Sequence, residues 1–170
     1  MPGAAEGAFE SRSAQRPLNM HVRIRQATAS DLPRAIELLS AADLPTDDLA
    51  PAHLALIAEG DAGTLGVIGL ERFGDVALLR SLVVSPLARG EGVGRALVKM
   101  LESSARERGV HELWLLTIDA DGFFLNLGFN KRERGNAPDA IRDSAEFSSL
   151  CPDDAVLMSR TIAIPRFLVP

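Results

Sequence analysis

Apolar residues recur along this chain with two periods, and the order in which those periods alternate predicts its elements. Residues 21–26 alternate, with Val22 and Ile24 on one face, as a short strand does. Leu32, Ile36 and Leu39 then repeat at helical spacing across residues 31–42. Thr28 or Ser30 supplies the cap and Pro33 suits the first turn. Pro45 stops that helix, and Thr46 caps a second, short one reaching about residue 52. Three strands follow at residues 54–59, 65–72 and 76–85, joined by Gly60-Asp61-Ala62-Gly63 and Phe73-Gly74-Asp75. Such spacing predicts consecutive antiparallel hairpins. A helix over residues 92–108 buries Val93, Leu97, Met100, Leu101 and Ala105 and ends at Gly109. Residues 112–117 are apolar without a break, the mark of a central strand covered on both faces. A short helix (122–127), a strand (129–134), a helix (137–148) and a last strand (155–161) complete the order.

One strand–helix–strand crossover, residues 76–117, thus sits inside an antiparallel meander. The expected fold class is α/β: a mixed, mostly antiparallel sheet with helices on both faces. Residues 21–170 read as a single domain. Residues 1–20 are rich in Ala, Gly, Ser and charge and lack the apolar centre of a signal peptide. They read as a disordered leader, with Met20 an alternative start.

Composition narrows the function. Of 170 residues, 46% are hydrophobic and 24% charged, which suits a globular domain with a real core. A net charge of −5 argues against a nucleic-acid surface, and no apolar run is long enough to span a membrane. The lone Cys151 cannot form an internal disulfide, which suits the cytoplasm, and it is expected to pack as a small hydrophobe. His21, His53 and His111 lie far apart with no metal-binding spacing, so no metal is expected.

Chemistry concentrates in residues 85–98, SPLARGEGVGRALV, where Gly90, Gly92 and Gly94 stand between Arg89 and Arg95. Free N–H groups and the positive dipole end at a helix start favour an anion. Glycines let a phosphate approach, and the arginines add charge-assisted hydrogen bonds. The loop therefore reads as a phosphate or pyrophosphate cradle; the plainer alternative is a tight turn with solvated arginines. A P-loop lysine is missing, and Arg95 stands where a dinucleotide fingerprint needs its third glycine.

The Arg-Gly-x-Gly-x-Gly run after LVVSP, together with GFFLNLGF at residues 122–129, resembles the GCN5-related N-acetyltransferase (GNAT) superfamily. The resemblance covers roughly residues 22–161. GLERFGDVALLRSLVVSP and AEFSSLCP are also similar to a bacterial subgroup associated with arsenic resistance, and the C-terminal half faintly resembles N-acetylglutamate synthase-type enzymes. Several expectations follow from the superfamily resemblance. Acetyl-CoA is the cosubstrate. Leu82, Val83 and Val84 would present backbone to its pantetheine arm. Arg89, Gly90, Gly92, Val93, Gly94 and Arg95 would hold its pyrophosphate. The strand over 112–117 would splay from the one over 76–85, opening a V for the thioester. A homodimer is also expected.

Acetyl transfer to an amine needs deprotonation, positioning, a donor to the oxyanion and a route for the leaving thiolate. Many relatives use a tyrosine for that last task; here the corresponding pair is Phe123-Phe124, and the chain contains no tyrosine. A thiol of ordinary pKa near 8.5 leaves tolerably without help. Ser81 or Thr117 could substitute. Glu71 and Asp75 are the candidate bases, Glu71 acting through water or binding the substrate ammonium. Arg80 lies on a strand face that simple alternation shares with Val76, Leu78, Leu82 and Val84. A buried charge there needs a partner: an anionic group on the substrate, or an ion pair with Glu71 or Asp75. The resulting expectation is transfer to a small-molecule amine, an amino acid or an anionic analogue, with Thr117 also lining the acceptor site. The alternatives are an acyl-CoA-binding sensor with little turnover and a protein-acetylating enzyme.

Overall fold

The computed structural model describes residues 21–150 and 152–162. The expected leader, Cys151 and the last eight positions lie outside them. Through the described residues runs one seven-stranded sheet in the order β1-β2-β3-β4-β5-β7-β6. Its strands are β1 (Arg23–Gln26), β2 (Leu54–Gly60), β3 (Gly63–Phe73), β4 (Val76–Val84), β5 (Glu112–Thr117), β6 (Asn130–Arg132) and β7 (Val156–Thr161). Every neighbouring pair is antiparallel except β4–β5. The parallel pair is joined by α2 (Val93–Glu107), the expected crossover.

Helices cover both faces. On one, Leu97 and Leu101 of α2 and Phe124 of α3 (Asp121–Asn126) pack with Ile68, Leu79, Leu113 and Leu115. On the other, α1 (Leu32–Ala41) lays Leu38 and Leu39 on Ile57, Val67 and Val83. Beside it Ile141 of α4 (Asp139–Arg142) meets Leu78, Trp114 and Leu157. β5 is covered from both sides, as its unbroken apolar run predicts.

Four local expectations are corrected. Met100 is exposed, and Val98 and Glu102 take the buried flank of α2 instead. Glu102 is tolerated there because Arg160 pairs with it at 2.7 Å. The expected second helix after Pro45 is a turn closed by the Leu49 N–H on the Thr46 carbonyl (3.0 Å), then one 3-10 turn at Pro51–His53. Pro51, which has no N–H to donate, keeps the two apart. The helix expected over 137–148 is also broken, into α4 and a wide turn at Glu146–Leu150. The Ser144 hydroxyl donates to the Ile141 carbonyl at 2.6 Å, competing with the helix's own ladder.

The fourth correction shapes the site. Val83 pairs with Val67 and Arg80 with Gly69, so Ser81 and Leu82 together oppose the single residue Ile68. This is a β-bulge, and Ser81 takes φ +56° to form it. Alternation is reset there. Arg80 keeps the face of Val76 and Leu78, whereas Leu82 and Val84 turn to the α2 face.

Candidate functional site

β4 and β5 pair only through Val76–Leu78 against Glu112–Trp114. Beyond Leu78 they part, and a V opens between them. The Ser85 N–H donates to the Leu65 carbonyl at 2.7 Å, and Val83 faces Val67. By antiparallel alternation the N–H and C=O of Leu82 and Val84 therefore point away from β3, into the V. Apart from the Val84 carbonyl, which accepts from Arg89 Nε, this leaves a strand edge able to pair with an extended amide-bearing chain.

At the far end of that edge lies the glycine loop. Gly90 and Gly92 hold φ near +80° and +81°, and nothing stands within 4 Å of where a Cβ would project. Gly92 is the N-cap of α2, whose first intrahelical bond is the Ala96 N–H on the Gly92 carbonyl. The N–H groups of Val93, Gly94 and Arg95 therefore have no partner within the helix. Gly94 faces Phe123, whose ring would meet an added Cβ at 3.4 Å. Arg89 is exposed and donates from Nε to the Val84 carbonyl at 3.2 Å; Arg95 is exposed beside it. Open φ-positive glycines, free N–H groups and two surface guanidinium groups fit a pyrophosphate.

Nearer the apex, the β4 arm of the V carries a charge cluster. Arg80, whose side chain is fully buried, donates from Nη2 and Nη1 to the two oxygens of Asp48 at 2.5 and 2.6 Å. Nη1 also reaches Glu71 at 3.3 Å, and Nε lies 3.5 Å from Glu146. Gly69 makes room for this. A Cβ there would stand 3.2 Å from Arg80 Cγ and 2.7 Å from the His53 carbonyl. Asp48 and Glu71 remain 22% and 23% exposed, while Glu146 is 8% exposed. Hydrogen bonds from Arg80 hold the Asp48 carboxyl below the usual range. Burial works against the charge on Arg80, but its bonds to Asp48 and the charges of Glu146, Asp48 and Glu71 outweigh that and raise it. Burial pushes Glu146 up to about 7, the charges of Asp48 and Glu71 adding to this and Arg80 opposing it.

The residues expected from sequence now have places. Glu71 joins Arg80, one of the two foreseen ion pairs. Asp75 does not: it is exposed at the closed end of the V, where its carbonyl accepts the His111 N–H. Ser81 sits in the bulge and its hydroxyl accepts from Arg80 Nε at 3.4 Å. The Thr117 hydroxyl accepts the Ala120 N–H at 3.0 Å, closing the turn just before α3. Phe123 and Phe124 meet edge to face, and Phe124 is core. Four of the five Arg80 N–H groups are engaged among the described residues and its side chain is fully buried, so a substrate anion would meet it in competition with Asp48. Sequence reasoning missed Asp48 and Glu146. Both lie in turns with no periodicity, and the only signal was Arg80 itself, a charge on an apolar face that required partners.

A family model described as an acetyltransferase (GNAT) domain matches residues 51–131. That span holds β2 through β5, the bulge, the glycine loop and both arms of the V. Over those residues the chain is similar to GNAT acetyltransferase domains. An uncharacterized N-acetyltransferase of Chlorobaculum tepidum is 34% identical over 88 residues, 51% of this chain and 56% of that protein. Glucosamine 6-phosphate N-acetyltransferase 1 of Oryza sativa subsp. japonica is 34% identical over 87 residues, 45% of this chain and 53% of that one. The chain thus spans about half the length of these curated relatives. Among solved structures, N-acetylglutamate synthase from Neisseria gonorrhoeae, complexed with coenzyme A and N-acetyl-glutamate, superposes with TM-score 0.73 at 23% identity. That match takes in 84% of this chain and 35% of the synthase, and it establishes the GNAT fold here. Among the described residues, no group of side chains could hold a metal ion, and no helix is long and apolar enough to cross a membrane.

Proposed function

We propose that the protein transfers the acetyl group of acetyl-CoA to a small-molecule primary amine. The observation that carries this reading is the continuity of the site. The free strand edge of Leu82 and Val84 leads from the glycine loop to the apex of the V, where the carboxylates gather. Leu82 and Val84 would pair with the pantetheine amides. Gly90, Gly92, Val93, Gly94, Arg89 and Arg95 would hold the pyrophosphate. When bound, acetyl-CoA supplies the thioester carbonyl that the amine attacks. Asp48 and Glu71, partly exposed at the mouth of the charge cluster, are suited to an ammonium. Glu71 is the base candidate, acting through water. Ser81 and Thr117 are the candidate hydroxyls for the leaving thiolate.

The acceptor needs an amine. An amino-acid carboxylate would meet Arg80 in competition with Asp48, which holds it by two short bonds. An arsenic-containing acceptor rested on sequence resemblance alone and is not part of this reading. The test is acetyl-CoA-dependent thiol release across a panel of alkylamines, diamines, amino sugars and amino acids, beside Gly92→Ala. Alanine at φ +81° costs about 1–2 kcal/mol of local strain. It should weaken coenzyme A binding roughly tenfold. Coenzyme A binding without thiol release from any amine would overturn the reading.

A further inference from the structure

Three carboxylates converge on one guanidinium, and they share it unequally. Asp48 takes two short bonds, at 2.5 and 2.6 Å. Glu71 takes one long bond at 3.3 Å. Among the described residues Glu146 takes no side-chain hydrogen bond, only the 3.5 Å ion-pair contact with Nε, and it is the least exposed of the three. With all three ionised the cluster carries two negative charges more than Arg80 neutralises. A proton entering the cluster finds its largest gain on the carboxylate with the weakest partner and the least water. That carboxylate is Glu146.

We infer that Glu146 is the positioning residue that holds the proton taken from the acceptor's ammonium, acting through the Arg80 cluster at one remove from the reacting nitrogen. The inference rests on the acetyl-transfer reading. The step balances. One ammonium N–H bond breaks, its electron pair staying on nitrogen, and the proton passes through the Glu71 rim to form an O–H bond on Glu146. The neutral amine attacks the thioester carbonyl, the C–S bond breaks, and the second proton lost by nitrogen ends on the departing sulfur. Glu146 then returns its proton to solvent past Asp48 and Glu71.

The charged groups facing Glu146 are Arg80 from β4, Glu71 from β3 and Asp48 from the turn after α1. The charges on α4, Asp139 and Arg142, pair with each other at the surface. Arg134 is occupied over the Phe147 ring, 4.6 Å from its centroid. With burial, this setting holds the Glu146 carboxyl at about 7, close to the pH at which a proton acceptor is most effective.

The experiment is the pH profile of kcat/KM for thiol release with the best primary amine, in the wild type, Glu146→Gln and Asp48→Asn. In the wild type kcat/KM should rise about tenfold per pH unit to near 7 and then flatten. An alkylamine's own titration lies near 10 and is separable. Glu146→Gln mimics the protonated carboxyl. It should lose the limb near 7 and fall roughly tenfold or more at pH 8 while binding coenzyme A as before. Asp48→Asn removes a charge that favours the proton on Glu146, so its midpoint should move to lower pH. A Glu146→Gln profile that keeps the limb and the rate overturns the inference alone. So does an unmoved midpoint in Asp48→Asn. A wild type that releases no thiol from any amine overturns the acetyl-transfer reading and this inference together.

Discussion

The two ends of the V are built in opposite ways. The glycine loop at one end is local, lying within the seven consecutive residues from Arg89 to Arg95 plus the strand just before them. It works with backbone: free N–H groups, two positive φ angles and a helix dipole. The Arg80 cluster at the other end is assembled from four separated segments, and it works with buried side-chain charge. A backbone site tolerates change in the side chains around it. A buried charge site does not, because each member is the others' compensation.

That contrast predicts its own largest break. Arg80→Met keeps the apolar stem and removes the only cation among three carboxylates. Breaking a buried ion pair on one side costs about 3–5 kcal/mol. In a domain of this size that lowers Tm by roughly 10 °C or more in thermal denaturation. Coenzyme A binding to whatever remains folded should be little changed. A Tm within a few degrees of the wild type would show that the carboxylates find other partners and that Arg80 is not what holds them together.

A smaller effect of the same kind comes with pH. Glu146 titrates at about 7 when folded, above its ordinary value of 4.5. The folded state therefore binds more protons than the unfolded state between those pH values, so stability falls as pH rises from about 4.5 to 7. The shift corresponds to about 3 kcal/mol. Asp48 works in the other direction, its carboxyl lowered by Arg80, and its contribution is lost only as pH falls below the ordinary carboxylate value. Urea denaturation at pH 5 and 7.5 should show the wild type losing stability over this interval relative to Glu146→Gln. Parallel curves for the two proteins would mean that Glu146 is already ionised at pH 5.

The same contrast explains what could be read from sequence. The loop was legible because its chemistry is written in consecutive letters, with glycines where φ turns positive and arginines beside them. The parallel pairing was legible because β5 holds the apolar run Leu113–Leu116 and the crossover helix returns it beside β4, whereas the splay was implied only by the family resemblance. The cluster was only half legible. Arg80 and Glu71 are two residues off register on paired strands, so their meeting follows from the hairpin. Asp48 and Glu146 arrive through turns, one after α1 and one after the break at Ser144, where no period operates. The bulge at Ser81 was invisible too. One extra residue with φ +56° moves Leu82 and Val84 to the opposite face from Arg80, and alternation counted through it gives the wrong partners.

Arg95→Ala sharpens the comparison with the smallest effect. The side chain is exposed on the first turn of α2, and no ion pair or hydrogen bond to it is found among the described residues. Its removal should leave Tm within about 1–2 °C of the wild type, since surface substitutions away from special features stay within roughly 0.5 kcal/mol. Coenzyme A affinity should weaken about 3- to 10-fold, and the loss should shrink as salt rises, because a surface guanidinium meets a phosphate through a screened field. Titration calorimetry at low and high salt reads both. The pH limb assigned to Glu146 should stay in place, as that cluster takes its compensation from Arg80 and not from the loop. Should Arg95→Ala move the limb, the two ends of the V would be one electrostatic unit, and the division between backbone and side-chain sites would fail.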